Sequence, residues 1–248
     1  MYRIRCAEVW GGSHAIDTDV CTNGVTASLF STTSDGGDDR SGGDIYYISV
    51  CSHDQITRVI LADVVGHGAA VSHLSRWLYE GLIERLDSLD GNDMLADLNR
   101  LIFERGLEVM TTAVVMTFYK ENSDLYFSYA GHPALLLRRG GKRDWGELGI
   151  KQGVEPSNLP LGILSGTNYD QGRSPLSSGD RLFLHTDGVT EIMNSEGELF
   201  GTARLLDVLE RTADAPLSEV KQAVRAAAFS YAESVPQDDL TLIVLEID

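Results

Sequence analysis

Thr57-Arg58-Val59-Ile60-Leu61-Ala62-Asp63-Val64-Val65-Gly66-His67-Gly68 is the stretch that decides the fold. Residues 57–65 are rich in β-branched side chains and read as a strand that breaks at a glycine. The strand carries one carboxylate, Asp63, at its end. Upstream, residues 45–52 have the same character, and Ser52-His53-Asp54-Gln55 supplies the turn of a hairpin. Downstream, Val71, Leu74, Leu78 and Leu82 recur at helical spacing, and Leu95, Leu98 and Ile102 mark a second helix. Residues 111–119, 125–130, 134–138 and 181–185 read as strands. Pro216 then opens a helix with Leu217, Val220, Val224 and Tyr231 in register, and 240–247 is a final strand. Strand runs joined by short turns, with helices in separate blocks, predict an α+β fold of antiparallel sheets covered by helices. A doubly wound parallel sheet would need a regular alternation that this order lacks.

Four aspartates stand at strand ends. Asp44 follows Gly42-Gly43 and precedes Ile45-Tyr46-Tyr47; Asp63 closes its own run; Asp187 follows Leu182-Phe183-Leu184-His185-Thr186; and Asp238, with Asp239 beside it, precedes Leu240-Thr241-Leu242. Taken singly, each has a plain reading as a turn or loop residue, since Asp-Gly and Gly-Gly-Asp are common turn signals. Taken together, converging carboxylates would repel one another and raise their own pKa values. Hard divalent cations relieve that repulsion, and an all-oxygen donor set suits magnesium or manganese.

Gly42-Gly43-Asp44, Ala62-Asp63-Val64-Val65-Gly66-His67-Gly68, Ala130-Gly131-His132-Pro133, Leu159-Pro160-Leu161-Gly162, Thr186-Asp187-Gly188-Val189-Thr190-Glu191 and Asp238-Asp239-Leu240-Thr241 follow one another in this order. The series resembles the SpoIIE-type, RsbU-like branch of the protein phosphatase 2C-like (PPM) serine/threonine phosphatases, over residues 42 to 248. The resemblance implies a four-layer αββα sandwich of two antiparallel sheets flanked by helices. It also implies hydrolysis of phosphoserine or phosphothreonine with two Mn2+ or Mg2+ ions. Carried over motif by motif, Asp63 would bridge the ions, the Val64 carbonyl would add a ligand, and Asp187 and Asp238 would complete the set. Asp44 would act at the metals directly or through water, and His67 is a candidate proton donor. His132, in a tight turn, reads as structural. The implied partner is a phosphorylated protein, with an anti-sigma factor antagonist in bacterial partner switching as the favoured case. Two positions depart from the pattern: Tyr47 stands where relatives often carry an acid, with Asp38 and Asp39 as candidate substitutes, and Val65 stands where a serine is frequent.

Residues 1–248 read as one domain. The first 41 residues lie outside the resemblance and are expected to add edge strands near Val9-Trp10 and over residues 25–30. The segment 31–43 is rich in Ser, Gly and Asp and reads as a loop inside the domain. Lys and Arg number 20 against 37 Asp and Glu, a formal net charge of −17, which disfavours nucleic acid and anionic membrane as partners. The three cysteines, Cys6, Cys21 and Cys51, have no zinc or disulfide spacing and suit a reducing compartment. No apolar signal segment or membrane span is read from the sequence, so the expected location is the cytoplasm. Two other readings stay open: a pseudophosphatase that only binds a partner, and a two-metal hydrolase of a small phosphorylated metabolite. The absence of a GxxxxGK[ST] loop weighs against a nucleotide enzyme.

Overall fold

The computed structural model describes residues 1–34, 42–66, 69–85, 90–107, 109–150, 157–232 and 238–248. In chain order the first elements are β1 (Tyr2–Arg3), β2 (Glu8–Gly12), β3 (Ile16–Cys21), β4 (Val25–Thr32), β5 (Asp44–Cys51), β6 (Ile56–Val64), α1 (Ala69–Ile83), α2 (Gly91–Glu104) and β7 (Thr111–Tyr119). There follow β8 (Asp124–Ala130), β9 (Leu136–Arg138), β10 (Gly146–Glu147), β11 (Gly172–Pro175), β12 (Arg181–His185), α3 (Asp187–Thr190), α4 (Gly201–Arg211), α5 (Leu217–Ala232) and β13 (Leu240–Ile247). No helix among the described residues is long and apolar enough to cross a membrane. No disulfide links the cysteines.

Strand β6 shows how the layers arise. Its nine residues are all buried, because both of its faces are covered. Val59 and Leu61 point into a core shared by the two sheets, while Ile60, Ala62 and Val64 pack under α1 and α2. Strand β13 does the same in the other sheet: Ile243 and Leu245 face the inter-sheet core, and Leu242 and Val244 face α4 and α5. A strand with two apolar faces reads as a continuous run, which is why these strands were legible. The result is the αββα sandwich the resemblance implied. One sheet runs β11-β8-β7-β6-β5-β2 and the other β1-β3-β4-β13-β12-β9-β10. The hairpin at 52–55 is also present, with Cys51 paired to Ile56 and with Ser52, His53 and Asp54 all at left-handed φ.

Two details differ from the expectation. The seven-stranded sheet carries one parallel pair, because β1 runs alongside β3 in the same direction. Between them the chain crosses to the other sheet as β2, so no hairpin fixes their relative direction. Residues 25–30 do not form an edge strand, which corrects the sequence reading: β4 lies between β3 and β13 and is buried on both sides, with Leu29 in the inter-sheet core and Phe30 against the helices. Strand β2, over Val9-Trp10, is the edge strand that was expected. Of the loop 31–43, residues 35–41, including Asp38 and Asp39, lie outside the described residues.

Candidate metal centre

Strands β5 and β6 bring two of the four aspartates face to face. Asp44 is the cross-strand partner of Asp63, and Thr112 on β7 is the partner of Asp63 on its other side. Both carboxylates are buried, at 2% and 8% exposure. Like charges set directly opposite in a sheet are destabilising. The fold nevertheless holds them there, and their protonation shows the cost. Burial, then the Asp63 charge, pushes the Asp44 carboxyl well above the usual carboxylate range. Burial, then Asp187, Asp238 and Asp239, does the same to Asp63. The negative field extends to Glu191, raised by burial and then by Asp187 and Asp238. Asp187, the first residue of α3, and Asp238, just before β13, thus act electrostatically on the same point as Asp63.

The second sheet reaches this point through Thr186, which the sequence reading did not single out. The Thr186 hydroxyl donates to Asp44 Oδ2 at 2.9 Å, and the same oxygen accepts the Thr241 backbone N–H at 3.0 Å. One hydroxyl therefore ties β12 and β13 to the first residue of β5. Asp239 was also missed in its role. It is 5% exposed, its Oδ1 accepts the Ser34 N–H at 2.7 Å, and its Oδ2 accepts the Gly43 N–H at 2.5 Å. Both of its oxygens are committed to the chain on either side of residues 35–41. The exposed Asp238 is the member of the Asp-Asp pair that faces outward, and its Oδ1 accepts the Asp239 N–H at 2.9 Å.

Several features fit a divalent cation. Asp44 Oδ1 is buried and receives no hydrogen bond from the described residues. An anionic acceptor left so is costly unless a cation meets it. The donors are all oxygens. Gly43 keeps the approach open: a Cβ there would lie 2.7 Å from the Val64 carbonyl oxygen and 3.5 Å from Asp63 Oδ1. Among the described residues no three His, Cys, Asp or Glu side chains already form a closed ligand group.

The remaining candidates divide. His67 lies outside the described residues. His132 is buried, its Nδ1 is 2.9 Å from Thr112 Oγ1, and burial followed by the nearby His185 lowers it to about 3. It stands one step behind Asp63, through Thr112, where burial favours its neutral form. Tyr47 is fully buried and belongs to the core under α1 and α2, so it does not stand in for the missing acid. Trp77 packs against that same core, with the Arg105 guanidinium 5.2 Å from its ring.

A family model described as Stage II sporulation protein E (SpoIIE) matches residues 53–248. The chain belongs to the SpoIIE family. Phosphoserine phosphatase RsbU of Bacillus subtilis is 26% identical over 212 residues, which are 83% of this SpoIIE-family chain and 59% of RsbU. The chain thus spans less than two thirds of that relative's length. Among solved structures, the SiaA-PP2C domain of Pseudomonas aeruginosa has a TM-score of 0.74 at 22% identity, covering 90% of this chain and 85% of that one. The RsbU and RsbW domains of Rv1364c from Mycobacterium tuberculosis also score 0.74, at 20% identity, covering 94% of this chain and 61% of that one. These two likenesses carry the fold.

Proposed function

We propose that this chain is a metal-dependent phosphatase that removes phosphate from phosphoserine or phosphothreonine on a partner protein. The observation that carries the reading is the facing pair Asp44 and Asp63, buried, mutually repelling, and with Asp44 Oδ1 lacking any donor among the described residues. In this reading Asp63, the Val64 carbonyl, Asp44, Asp187 and Asp238 hold two Mn2+ or Mg2+ ions. Such a pair of ions lowers the pKa of water and clamps a phosphoryl oxygen. The chain's own groups set the stage. Thr186 fixes the orientation of the Asp44 carboxylate through its 2.9 Å hydrogen bond. Asp239 pins Gly43, and so the start of β5. His67 is assigned to donating a proton to the leaving serine oxygen.

The substrate we assign is a phosphorylated antagonist of an anti-sigma factor, met in the cytoplasm. Membership of the SpoIIE family and the name of RsbU as a phosphoserine phosphatase support the class. The acidic surroundings of the site and the net charge of −17 disfavour a free nucleotide triphosphate. The test is phosphate release from para-nitrophenyl phosphate and from a phosphorylated anti-sigma antagonist, beside a nucleotide panel. Mn2+ should activate turnover and EDTA should stop it, with the phosphoprotein far ahead of any nucleotide. Turnover that persists in EDTA, or ATP handled as well as the phosphoprotein, contradicts the reading.

A further inference from the structure

Beside the aspartates, at the same end of the six-stranded sheet, the surface changes character. Val65, two residues beyond Asp63, is 50% exposed, and its N–H donates to the Met110 carbonyl at 3.0 Å. Met110 is 37% exposed and forms the rim of an open groove of about 460 Å³. The groove lies between the C-terminal end of α2 (Phe103), the segment leading from it to β7 (Leu107, Val109 and Met110) and the turn at Gly162-Ile163. Ile163 and Leu164 are each 50% exposed and Phe103 38%. Three of the large apolar side chains exposed among the described residues, Phe103, Met110 and Ile163, thus line the groove, Val65 and Leu164 adjoin two of them through the backbone, and none of the described residues lining the groove is charged.

The groove is built and not incidental. Asn99, 1% exposed, accepts the Gly162 N–H on its Oδ1 at 2.8 Å and donates from Nδ2 to the Leu164 carbonyl at 2.9 Å. Leu161 exchanges backbone hydrogen bonds with Thr111 at 2.8 and 3.1 Å. Gly162 has φ +85°, and a Cβ on it would lie 1.8 Å from the Val109 carbonyl oxygen, so the turn closes onto Val109 only with glycine. These bonds fix an apolar shelf against the strand end that carries Asp63. Exposed apolar patches of this kind mark interaction sites.

We propose that this groove docks a large apolar side chain of the phosphoprotein substrate, a Leu, Ile, Met or Phe close in sequence to the phosphoserine. The proposal rests on the phosphatase reading above and names how its partner is held. Two arguments select this occupant. The first is continuity: Val65 stands two residues beyond Asp63, just past the end of β6, and its N–H is bonded to the Met110 carbonyl. A phosphoserine at the aspartates thus brings side chains two to four residues away over Met110 and Ile163. The second is charge. A second copy of this chain would bring another −17 and a second cluster of carboxylates against the first. The described lining of the groove is uncharged, and so offers a phosphoprotein non-ionic contact beside a site whose own side chains are acidic.

The experiment uses synthetic phosphoserine peptides of Gly and Ser carrying one Leu at two, three or four residues on either side, and a Leu-free control. Phosphate release with Mn2+ should show kcat/KM about tenfold higher for at least one Leu position, the scale of burying one such side chain. Ile163→Asp and Met110→Asp should each remove that gain while turnover of para-nitrophenyl phosphate stays at the wild-type level. No gain at any position, or a gain that survives both substitutions, overturns the proposal. If neither para-nitrophenyl phosphate nor any peptide is hydrolysed, the phosphatase reading fails, and fluorescence anisotropy with labelled peptides decides the groove. A Kd about tenfold lower for a Leu peptide, lost in Ile163→Asp, supports it; equal Kd values overturn it.

Discussion

Asp180 and Asp44 are equally buried, each 2% exposed, and their surroundings are opposite. Asp180 accepts the Arg139 guanidinium at 2.7 Å and the backbone N–H groups of Gly140 and Ser177 at 2.8 and 3.0 Å. Elsewhere in the scaffold Asp124 meets Arg173 at 2.7 Å, and the buried Lys221 meets Asp17 at 2.6 Å and Asp19 at 3.2 Å. At Asp44 the facing group is another carboxylate, and one oxygen has no donor among the described residues. Asp180, Asp124 and Lys221 meet opposite charges within the chain, and the facing carboxylates of β5 and β6 meet none among the described residues. A charge left uncompensated by the fold is best explained by a ligand that compensates it.

Substitutions at the two kinds of site should therefore behave differently. The largest expected effect is on activity: on the two-metal reading Asp63 would be shared by both cations, so Asp63→Asn should remove nearly all phosphate release. Asp187→Asn and Asp238→Asn should weaken metal binding first, so excess Mn2+ should restore part of their activity. His67→Ala should cost less, about 10²-fold at most for a lost general acid. If His67→Ala left the enzyme as inactive as Asp63→Asn, the chemical burden would shift onto the histidine.

The scaffold counterpart is a stability effect. Asp180→Ala removes an ion pair and strands two backbone donors, so unfolding in denaturant should show a loss of about 3 kcal/mol. Para-nitrophenyl phosphate turnover below the new melting temperature should be unchanged. A neutral outcome would mean that the paired carboxylates are as dispensable as surface ones.

A smaller effect concerns acid. Burial holds His132 and His185 below the ordinary imidazole range, His132 at about 3. A base with a lowered folded pKa gives stability that is complete above its unfolded value of about 6.5 and is lost as pH falls from there toward the folded value. Stability should therefore decline below about pH 6.5, by up to about 1.4 kcal/mol per pH unit for each neutral histidine. His132→Gln, able to keep a hydrogen bond to Thr112, should flatten that decline, as followed by melting temperature from about pH 7 to about pH 4.5.

Much of this architecture was legible because β5, β6, β7 and β13 are apolar on both faces and aspartates stand at the ends of three of them. The N-terminal strand β3 was not. Its Asp17 and Asp19 break the apolar pattern, yet both point to Lys221 on α5, some two hundred residues away. A pairing that distant leaves no local signal. Strands β10 and β11 are two and four residues long and contain Gly or Pro, too little for a periodicity. At the site the aspartates could be picked out one by one, since each sits near a glycine or beside a second aspartate. The bracing by Thr186 and the clamp by Asp239 depend on how two sheets meet, which no run of sequence displays.

The central claim is that the fold forces carboxylates together so that divalent cations can hold them. Melting of wild type and Asp63→Asn, each in EDTA and in Mn2+, tests it most directly. In EDTA the Asp63→Asn variant should melt above wild type, since one of the repelling charges is gone, a gain of about 1 kcal/mol. Mn2+ should raise the wild-type melting temperature and leave the variant nearly unchanged. A variant that melts below wild type in EDTA, with Mn2+ moving neither protein, would contradict the account.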